Sequence, residues 1–193
     1  MRVGFNDGMA DIAPGVWVHR AARVQTSAIA GQGLFLTAPV AAGEPLIHLG
    51  GRIVSTDELH RLFERAEAQG RYVDTFAIDI DTHLVLPPDT RAHYVNHSCD
   101  PSLQFAAPLE LAARDDLPAG AELTLDYAVI SDDPTFRMEC TCAALTCRRI
   151  VAGSDWQRPD LQAAHEGRWP TGLQRRIDEV TSSWEDPPQH GTA

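Results

Sequence analysis

The sequence predicts a mainly β domain with few helices, built from several short sheets. Short runs of alternating apolar and polar residues recur along most of the chain, and turns that contain Gly or Pro separate them. Only one segment, near residue 60, combines a strong helical spacing of apolar residues with clear start and stop signals. With 193 residues and 44% hydrophobic content the chain can bury one core, so we expect one domain of about 150 residues with extensions.

The predicted strands follow these turns in chain order. Val16–Val18 alternates and forms the first strand. The Gly31–Gly33 turn leads into a β-run, and the turn at 42–44 leads into another. Phe76–Leu86 alternates as a strand pair, and two further strands, at 109–113 and 122–127, flank the turn at 117–120. Many short strands with one convincing helix predict non-sequential strand pairing.

Two helices are predicted. The first lies between Ser55 and Gln69, because Ser55 or Thr56 can cap it, Glu58 lies in its first turn and Gly70 ends it. Its apolar stripe is formed by Leu59, Leu62, Phe63 and Ala66. The second lies at 172–184, in an extension that ends in a polar tail predicted to be mobile. Residues 1–15 are predicted to form a flexible arm.

The formal net charge of −11 favours some classes of binding partner over others. It disfavours nucleic acid and anionic membranes, and it suits a basic protein or peptide, although an acidic surface is also common in proteins with no basic partner. The sequence contains no membrane span and no apolar signal stretch, so we expect a cytoplasmic protein. All 16 basic residues are Arg, which indicates a codon bias toward Ala and Arg and a bacterial source.

The four cysteines predict a structural zinc site. Cys140, Cys142 and Cys147 form a C-x-C-x4-C cluster, and Cys99 precedes it. Four thiolates around Zn²⁺ make a closed tetrahedral site. Disulfides are an alternative, but Cys140 and Cys142 are too near in sequence to pair easily. Free thiols are a third alternative, and they leave the clustering unexplained.

Four stretches resemble, in the right order, the SET-domain family of protein-lysine methyltransferases. They are a G-x-G-L-F opening at 31–35, an N-H-S-C-x-P signature at 96–101, an E-L-T-x-D-Y strand at 122–127 and a cysteine cluster similar to a post-SET segment, with Ala143 where that pattern usually has Gly. The resemblance implies a SET fold with a pseudoknot, in which the third stretch threads the second. It divides the chain into an arm (1–15), a SET domain (16–138), a post-SET zinc segment (139–152) and a C-terminal extension with one helix and a mobile tail (153–193).

The resemblance also implies S-adenosylmethionine as the cofactor. Its binding residues would be Gly31, Gln32, Gly33, Leu34, Asn96, His97 and Tyr127. Asn96 would hold the methionine part and His97 the adenine part. Tyr127 would also be catalytic, because its hydroxyl would orient the amine of the substrate or lie near the methyl group.

This chain departs from the family pattern at three positions. His48 replaces the Tyr of a Y-x-G turn, and it either accepts the amine proton as a catalytic residue or is a loop histidine with no role. Leu125 replaces the aromatic residue before D-Y, and His93 replaces an Arg. Leu125 and Phe105 are the candidate walls of the lysine channel, although ordinary packing would also explain Leu125. Without a hydroxyl at position 125 we expect no tight limit to monomethylation.

The resemblance implies transfer of a methyl group to the lysine amine of a basic protein or peptide. One alternative is a catalytically impaired SET module that binds a basic peptide, with His48 and Leu125 as the altered positions. Another is a methyltransferase for a non-lysine peptide amine. Asp74, Asp79 and Asp81 either face the basic peptide or form the solvated face of a strand. The sequence leaves the substrate and the oligomeric state open.

Overall fold

The computed structural model describes residues 15–185, and within this range the fold is mainly β, as predicted. Three α-helices accompany the strands: α1 (Thr56–Ala68), α2 (Pro159–Ala164) and α3 (Thr171–Glu185). The strands are β1 (Trp17–Val18), β2 (Ala22–Thr26), β3 (Gln32–Leu36), β4 (Pro45–His48), β5 (Arg52–Val54), β6 (Thr75–Asp79), β7 (Thr82–Val85), β8 (Asn96–His97), β9 (Leu103–Ala107), β10 (Glu110–Ala113), β11 (Glu122–Leu125), β12 (Arg137–Glu139) and β13 (Ile150–Ala152).

Helix α1 begins and ends where the local signals in the sequence place it. The Ser55 hydroxyl accepts a hydrogen bond from the backbone N–H of Glu58, which is the capping interaction predicted for this S-x-x-E pattern. Asp57 and Glu58 lie in the first turn, where carboxylates interact favourably with the helix dipole. Gly70 has a φ of 61°, a left-handed conformation that favours glycine and ends the helix. The buried Leu59 faces the rest of the domain.

The strands form four small sheets rather than one large sheet. Their orders are β1-β4-β10-β9, β2-β3-β11-β8, β5-β7-β6 and β12-β13. All the pairs except β8–β11 are antiparallel. Fully buried aliphatic side chains from three of these sheets join in one core, among them Leu34, Leu46 and Leu84. Burying one such side chain contributes about 1.5–3 kcal/mol.

The pairing of β8 with β11 is parallel and joins distant parts of the chain. Thr124 lies opposite Asn96, and Leu125 lies opposite His97. The backbone N–H of Ser98 continues this pairing by donating to the carbonyl of Leu125 at 3.1 Å. Since β11 also pairs with β3 on its other side, it lies between the glycine turn and the Asn-His segment. This is the arrangement that the predicted pseudoknot requires.

The C-terminal extension packs on the domain through α3. A Cβ on Gly172 would overlap the backbone of Asp79, so only glycine permits this close approach to β6. Arg175 forms an ion pair with Asp79 at 3.0 Å. The short helix α2 was not predicted from the sequence. Residues 1–14 of the predicted arm and residues 186–193 of the predicted tail lie outside the described residues. No helix within 15–185 is long and apolar enough to cross a membrane.

Candidate active site and metal centre

The four cysteine thiols lie at one centre. The Sγ atom of Cys140 is 3.8 Å from that of Cys99 and 3.7 Å from that of Cys147. With Cys142 included, all four sulfur atoms lie within 4.8 Å of one another. A tetrahedral zinc site with Zn–S distances near 2.3 Å has S···S distances of about 3.8 Å. The donor set and its spacing therefore fit a zinc ion, and the segments around positions 99 and 140–147 would supply all four ligands.

The protonation chemistry of the cluster also suits a cation. Burial opposes ionisation of the Cys142 thiol, but hydrogen bonds from the backbone N–H groups of Cys99 and Ala144 lower its pKa to about 6. Burial raises the pKa of the Cys99 thiol and raises that of Cys140 well above the usual range. One thiol of the cluster thus ionises easily and two do not. A bound divalent cation would stabilise the thiolate form of these cysteines.

Backbone and side-chain contacts hold the cysteine segment against the body of the domain. The backbone N–H of Cys99 donates to the Sγ of Cys142, and the backbone N–H of Arg148 donates to the Sγ of Cys99, both at 3.4 Å. The hydroxyl of Thr141 donates to the carbonyl of Ile29 at 3.0 Å. The cysteine segment therefore closes over the turn that precedes β3.

That turn is tied to β8 and β11 by a hydrogen-bonded cluster. The Glu122 carboxylate accepts from the Ser27 hydroxyl and from the amide nitrogen of Asn96, both at 2.8 Å. The same nitrogen lies 3.1 Å from the carbonyl of Gln32. A Cβ on Gly33 would overlap the carboxylate of Glu122, so the glycine is required for this close approach. Sequence analysis did not identify Glu122 as a functional residue, although it opens the matched E-L-T-x-D-Y string.

His97 is buried between the cysteine centre and Tyr127. Burial lowers the pKa of His97 to about 4, so its imidazole is neutral near pH 7. Its Nδ1 accepts from the backbone N–H of Tyr127 at 3.1 Å, so its Nε2 carries the proton and lies 3.3 Å from the Sγ of Cys99. The Tyr127 hydroxyl donates to the carbonyl of Val95 at 2.8 Å, and burial raises its pKa. Tyr127 is therefore a neutral phenol at neutral pH.

A buried charge cluster lies directly beside Tyr127. The guanidinium of Arg148 donates two hydrogen bonds to the Asp126 carboxylate, at 2.6 and 2.7 Å, and a third to Asp155 at 2.9 Å. The Nε2 of His165, from the C-terminal extension, lies 3.5 Å from Asp126. Burial opposes ionisation of Asp126, but the hydrogen bonds from Arg148 and His165 hold its pKa well below the usual range. This cluster links the cysteine segment, the end of β11 and the extension.

A cavity of about 400 Å³ opens on the other flank of the β11 strand end. It is lined by α1, by β6 with the residues just before it, and by the segment 130–136. Leu125 and Tyr127 form part of its wall, and Tyr72, which is 84% exposed, also borders it. Tyr127 therefore contacts His97 through its backbone N–H and its ring. The side chain of Tyr127 also lines the cavity. One residue joins the Asn-His segment to a largely apolar cavity.

The family of the chain follows from comparison with known proteins. The family model described as the SET domain matches residues 31–128, just over half of the chain. The chain belongs to the SET-domain family. Cys99 and the Asn-His segment lie inside the matched region, whereas the three cysteines of the 140–147 cluster follow it.

Several histone-lysine methyltransferases resemble this SET-domain chain. Human histone-lysine N-methyltransferase 2B is 30% identical over an alignment of 141 residues, which covers 66% of this chain and 5% of that protein. Trithorax of Drosophila virilis is 28% identical over 138 residues, 65% of this chain and 3% of that protein. The chain thus spans a small part of the length of these relatives. The methyltransferase domain of human SETMAR has the same fold, with a TM-score of 0.54 at 21% identity, over 69% of this chain and 57% of that one.

The SET domain brings most of the predicted site residues together. The Gly31–Gly33 turn, Asn96, His97 and Tyr127 lie in or beside β3, β8 and β11. The Leu34 side chain is fully buried in the core, which leaves only its backbone for a ligand. Tyr127 and Leu125 line the cavity.

Two of the predicted residues lie elsewhere in the SET domain. Phe105 is a buried core residue of β9 and does not line the cavity. His48 is half-buried on β4, opposite Trp17 and Glu110, and does not line the cavity either. The roles predicted for His48 and Phe105 therefore remain predictions.

The three carboxylates considered as peptide contacts already have partners within the chain. Asp79 pairs with Arg175, and the Asp74 carboxylate contacts the Nδ1 of His93. Asp81 accepts a hydrogen bond from the backbone N–H of Thr56 at the start of α1. None of the three is a free carboxylate that faces a peptide.

Proposed function

We propose that this SET domain transfers a methyl group from S-adenosylmethionine to the lysine amine of a basic protein or peptide. The observation that carries the proposal is the position of Tyr127, between the Asn-His segment and the cavity. A methyl transfer needs a donor site and an acceptor site that meet at one point, and alignment of this kind contributes on the order of 7–11 kcal/mol. The names of the relatives specify lysine of histones as their substrate.

The residues around the glycine turn fit the cofactor. Three acceptors surround the amide nitrogen of Asn96: the carbonyls of Ala30 and Gln32 and the carboxylate of Glu122. Its amide oxygen accepts no hydrogen bond from the residues between 15 and 185, so it can accept one from an ammonium group. The neutral His97 and the backbone of the turn complete the set. When bound, S-adenosylmethionine supplies a methyl group activated by a sulfonium.

We propose that Cys99, Cys140, Cys142 and Cys147 hold a structural zinc ion as a post-SET site. The supporting observation is the sulfur spacing, which matches a tetrahedron around one ion. Holding the segment 140–147 in place also holds Thr141 against Ile29, so the cysteine segment forms one wall beside the glycine turn. Loss of the ion should therefore loosen that wall.

The substrate amine must reach the donor without its proton. A free lysine amine has a pKa of about 10.4, and a desolvated cavity lowers it. The hydrogen of the Tyr127 hydroxyl is directed at the carbonyl of Val95, so its oxygen is available to accept a hydrogen bond from the amine. A neutral phenol in this position orients the amine and does not remove its proton. Leu125 adds no hydroxyl to the cavity wall, so we expect the product not to stop at monomethyl-lysine.

Two measurements test the proposal. Isothermal titration calorimetry of the zinc-loaded chain with S-adenosylmethionine should show one binding site. Absence of binding at millimolar cofactor would rule out the proposed methyltransferase activity. Mass spectrometry of Arg-rich peptides that each contain one lysine, after incubation with cofactor, should show the added methyl groups on that lysine. Methylation of the peptide α-amino group instead would make the chain a methyltransferase for a different amine. Peptide binding that needs no cofactor and leads to no methylation would indicate a catalytically impaired SET module that only binds basic peptides.

A further inference from the structure

Two of the carboxylates that border the cavity, those of Asp74 and Asp132, have basic partners within the chain. The Nδ1 of His93 contacts the carboxylate of Asp74, and its Nε2 lies 2.8 Å from the carbonyl of Pro87. Each of the two ring nitrogens of His93 thus faces an oxygen of the chain. On the other side, Asp132 pairs with Arg176 of α3 at 2.9 Å. Neither carboxylate is left for a charged group of a ligand.

Some other polar groups of the cavity also have partners within the chain, whereas the Thr75 hydroxyl finds none among the described residues. The Nε2 of the buried His83 lies 2.9 Å from the hydroxyl of Thr56. The carboxylate of Asp133 accepts hydrogen bonds from the backbone N–H and the hydroxyl of Thr135, at 2.8 and 2.7 Å. Apart from the Thr75 hydroxyl, what remains for a ligand is largely the apolar surface formed by Leu59, Phe63, Phe76, Ile130, Pro134 and Phe136. A polar group inserted here would lose its water and gain few partners.

The cavity is larger than one lysine side chain requires. Its volume of about 400 Å³ exceeds what five non-hydrogen atoms occupy, because each water-sized group fills roughly 30 Å³. Tyr127 and Leu125 account for only part of the wall, and α1 with the segment 130–136 accounts for much of the rest. A second group of the same substrate therefore has room beside the lysine.

We propose that the cavity binds a bulky apolar side chain located two residues from the target lysine of the same peptide. This inference rests on the proposed function and specifies its substrate. In an extended peptide, residues two apart project from the same face at a separation of about 7 Å. A lysine directed at Tyr127 thus places a Leu, Met or Phe two positions away on the side of the peptide that faces the apolar wall. The substrate class is a basic peptide with a lysine and an apolar residue at this spacing.

Matched peptides test the proposal on the unmodified chain. Each peptide contains one lysine flanked by arginines, with Leu, Gly or Asp two residues before or two residues after the lysine. We expect kcat/KM for methylation to be roughly tenfold to a hundredfold higher for Leu than for Gly on one of the two sides, and lower still for Asp. Equal values for Leu and Gly on both sides would assign the cavity to another occupant and overturn the proposal.

A pair of variants shows whether the preference comes from this cavity. Ala77 lines it and is buried, so Ala77→Phe fills part of its volume. Ala106 lies exposed on β9, so Ala106→Phe makes the same chemical change away from it. The Leu:Gly ratio should fall to about one in Ala77→Phe and stay at the wild-type value in Ala106→Phe. Ala77→Leu is the smaller substitution if the Phe variant does not fold.

The outcomes separate this inference from the proposed function. If no peptide is methylated, the proposed function fails. If lysine is methylated with no preference for Leu, only the apolar site fails. If the preference for Leu over Gly persists unchanged in a folded variant at position 77, a different surface binds the apolar residue. The assignment to this cavity is then wrong.

Discussion

Replacing Arg148 by Met should destabilise the domain strongly while the metal remains bound. The side chains of Arg148 and Asp126 are 4% and 1% exposed, so the variant leaves a carboxylate buried without its bidentate partner. Breaking such a pair from one side costs about 3–5 kcal/mol, a large share of the 5–15 kcal/mol that stabilises a typical domain. Arg148 contacts Cys99 through its backbone N–H, which Met retains, so the cysteine centre keeps this hydrogen bond.

Urea denaturation of the zinc-loaded protein at pH 7 measures the loss, and the Asp126→Asn variant and the double variant complete a cycle. We expect the double variant to recover about 2 kcal/mol relative to the sum of the single changes, because both charges are then absent. Arg149→Met is the matched control, since Arg149 is exposed and its loss should cost under about 0.5 kcal/mol. A loss below 1 kcal/mol in Arg148→Met, or strict additivity in the cycle, would refute the reasoning.

Four further predictions concern single substitutions. Gly33→Ala should displace the Glu122 carboxylate and weaken cofactor binding in calorimetry, with a stability loss of about 1–3 kcal/mol. Cys142→Ala should release zinc, as measured by plasma emission, and weaken cofactor binding as well. Tyr127→Phe should fold and lose most of its turnover, because the oxygen that orients the amine is removed. Thr75→Val should raise stability to urea by about 1 kcal/mol, because the buried Thr75 hydroxyl finds no hydrogen-bond partner within the described part of the chain.

Each of these predictions has an opposite outcome that can be observed. Wild-type cofactor affinity in Gly33→Ala would show that Glu122 moves without consequence. Unchanged zinc in Cys142→Ala would mean that this thiol is not a ligand. Full turnover in Tyr127→Phe would move the orienting role elsewhere, and a less stable Thr75→Val would mean that the hydroxyl has a partner in solution.

Local signals predicted two of the three helices and about half of the strands. Ser55 and Gly70 bound α1 because capping and a left-handed glycine act within one turn of the helix. The short helix α2 begins with Pro159, a recognised start signal, but its six residues are too few to show a helical period. The two residues of β8 likewise carry no period of their own, and their pairing with β11 depends on tertiary structure.

The candidate site was predictable where a contiguous string carries it and not where the fold assembles it. The Asn-His-Ser-Cys string and the cysteine cluster predicted the four thiols that the structure brings to one centre, and the zinc ion there stays a prediction. The role of Glu122 becomes visible only when β11 brings it between Gly33 and Asn96. The partners of Asp126, Arg148 and His165, come from two other segments, and no spacing rule relates them to Asp126. The apolar cavity is formed in the same way, from walls that are distant in the sequence.

The central position of β11 determines when during synthesis the site can form. Its two neighbours in the sheet, β3 and β8, both precede it in the chain, and each pairs its backbone with β11 rather than with the other. Until residues 122–125 have left the ribosome, β3 and β8 therefore lack the strand that joins them, however well the earlier hairpins have folded. The cysteines at 140–147 emerge later still, so the cluster of four thiols can assemble only after β11 has left the ribosome.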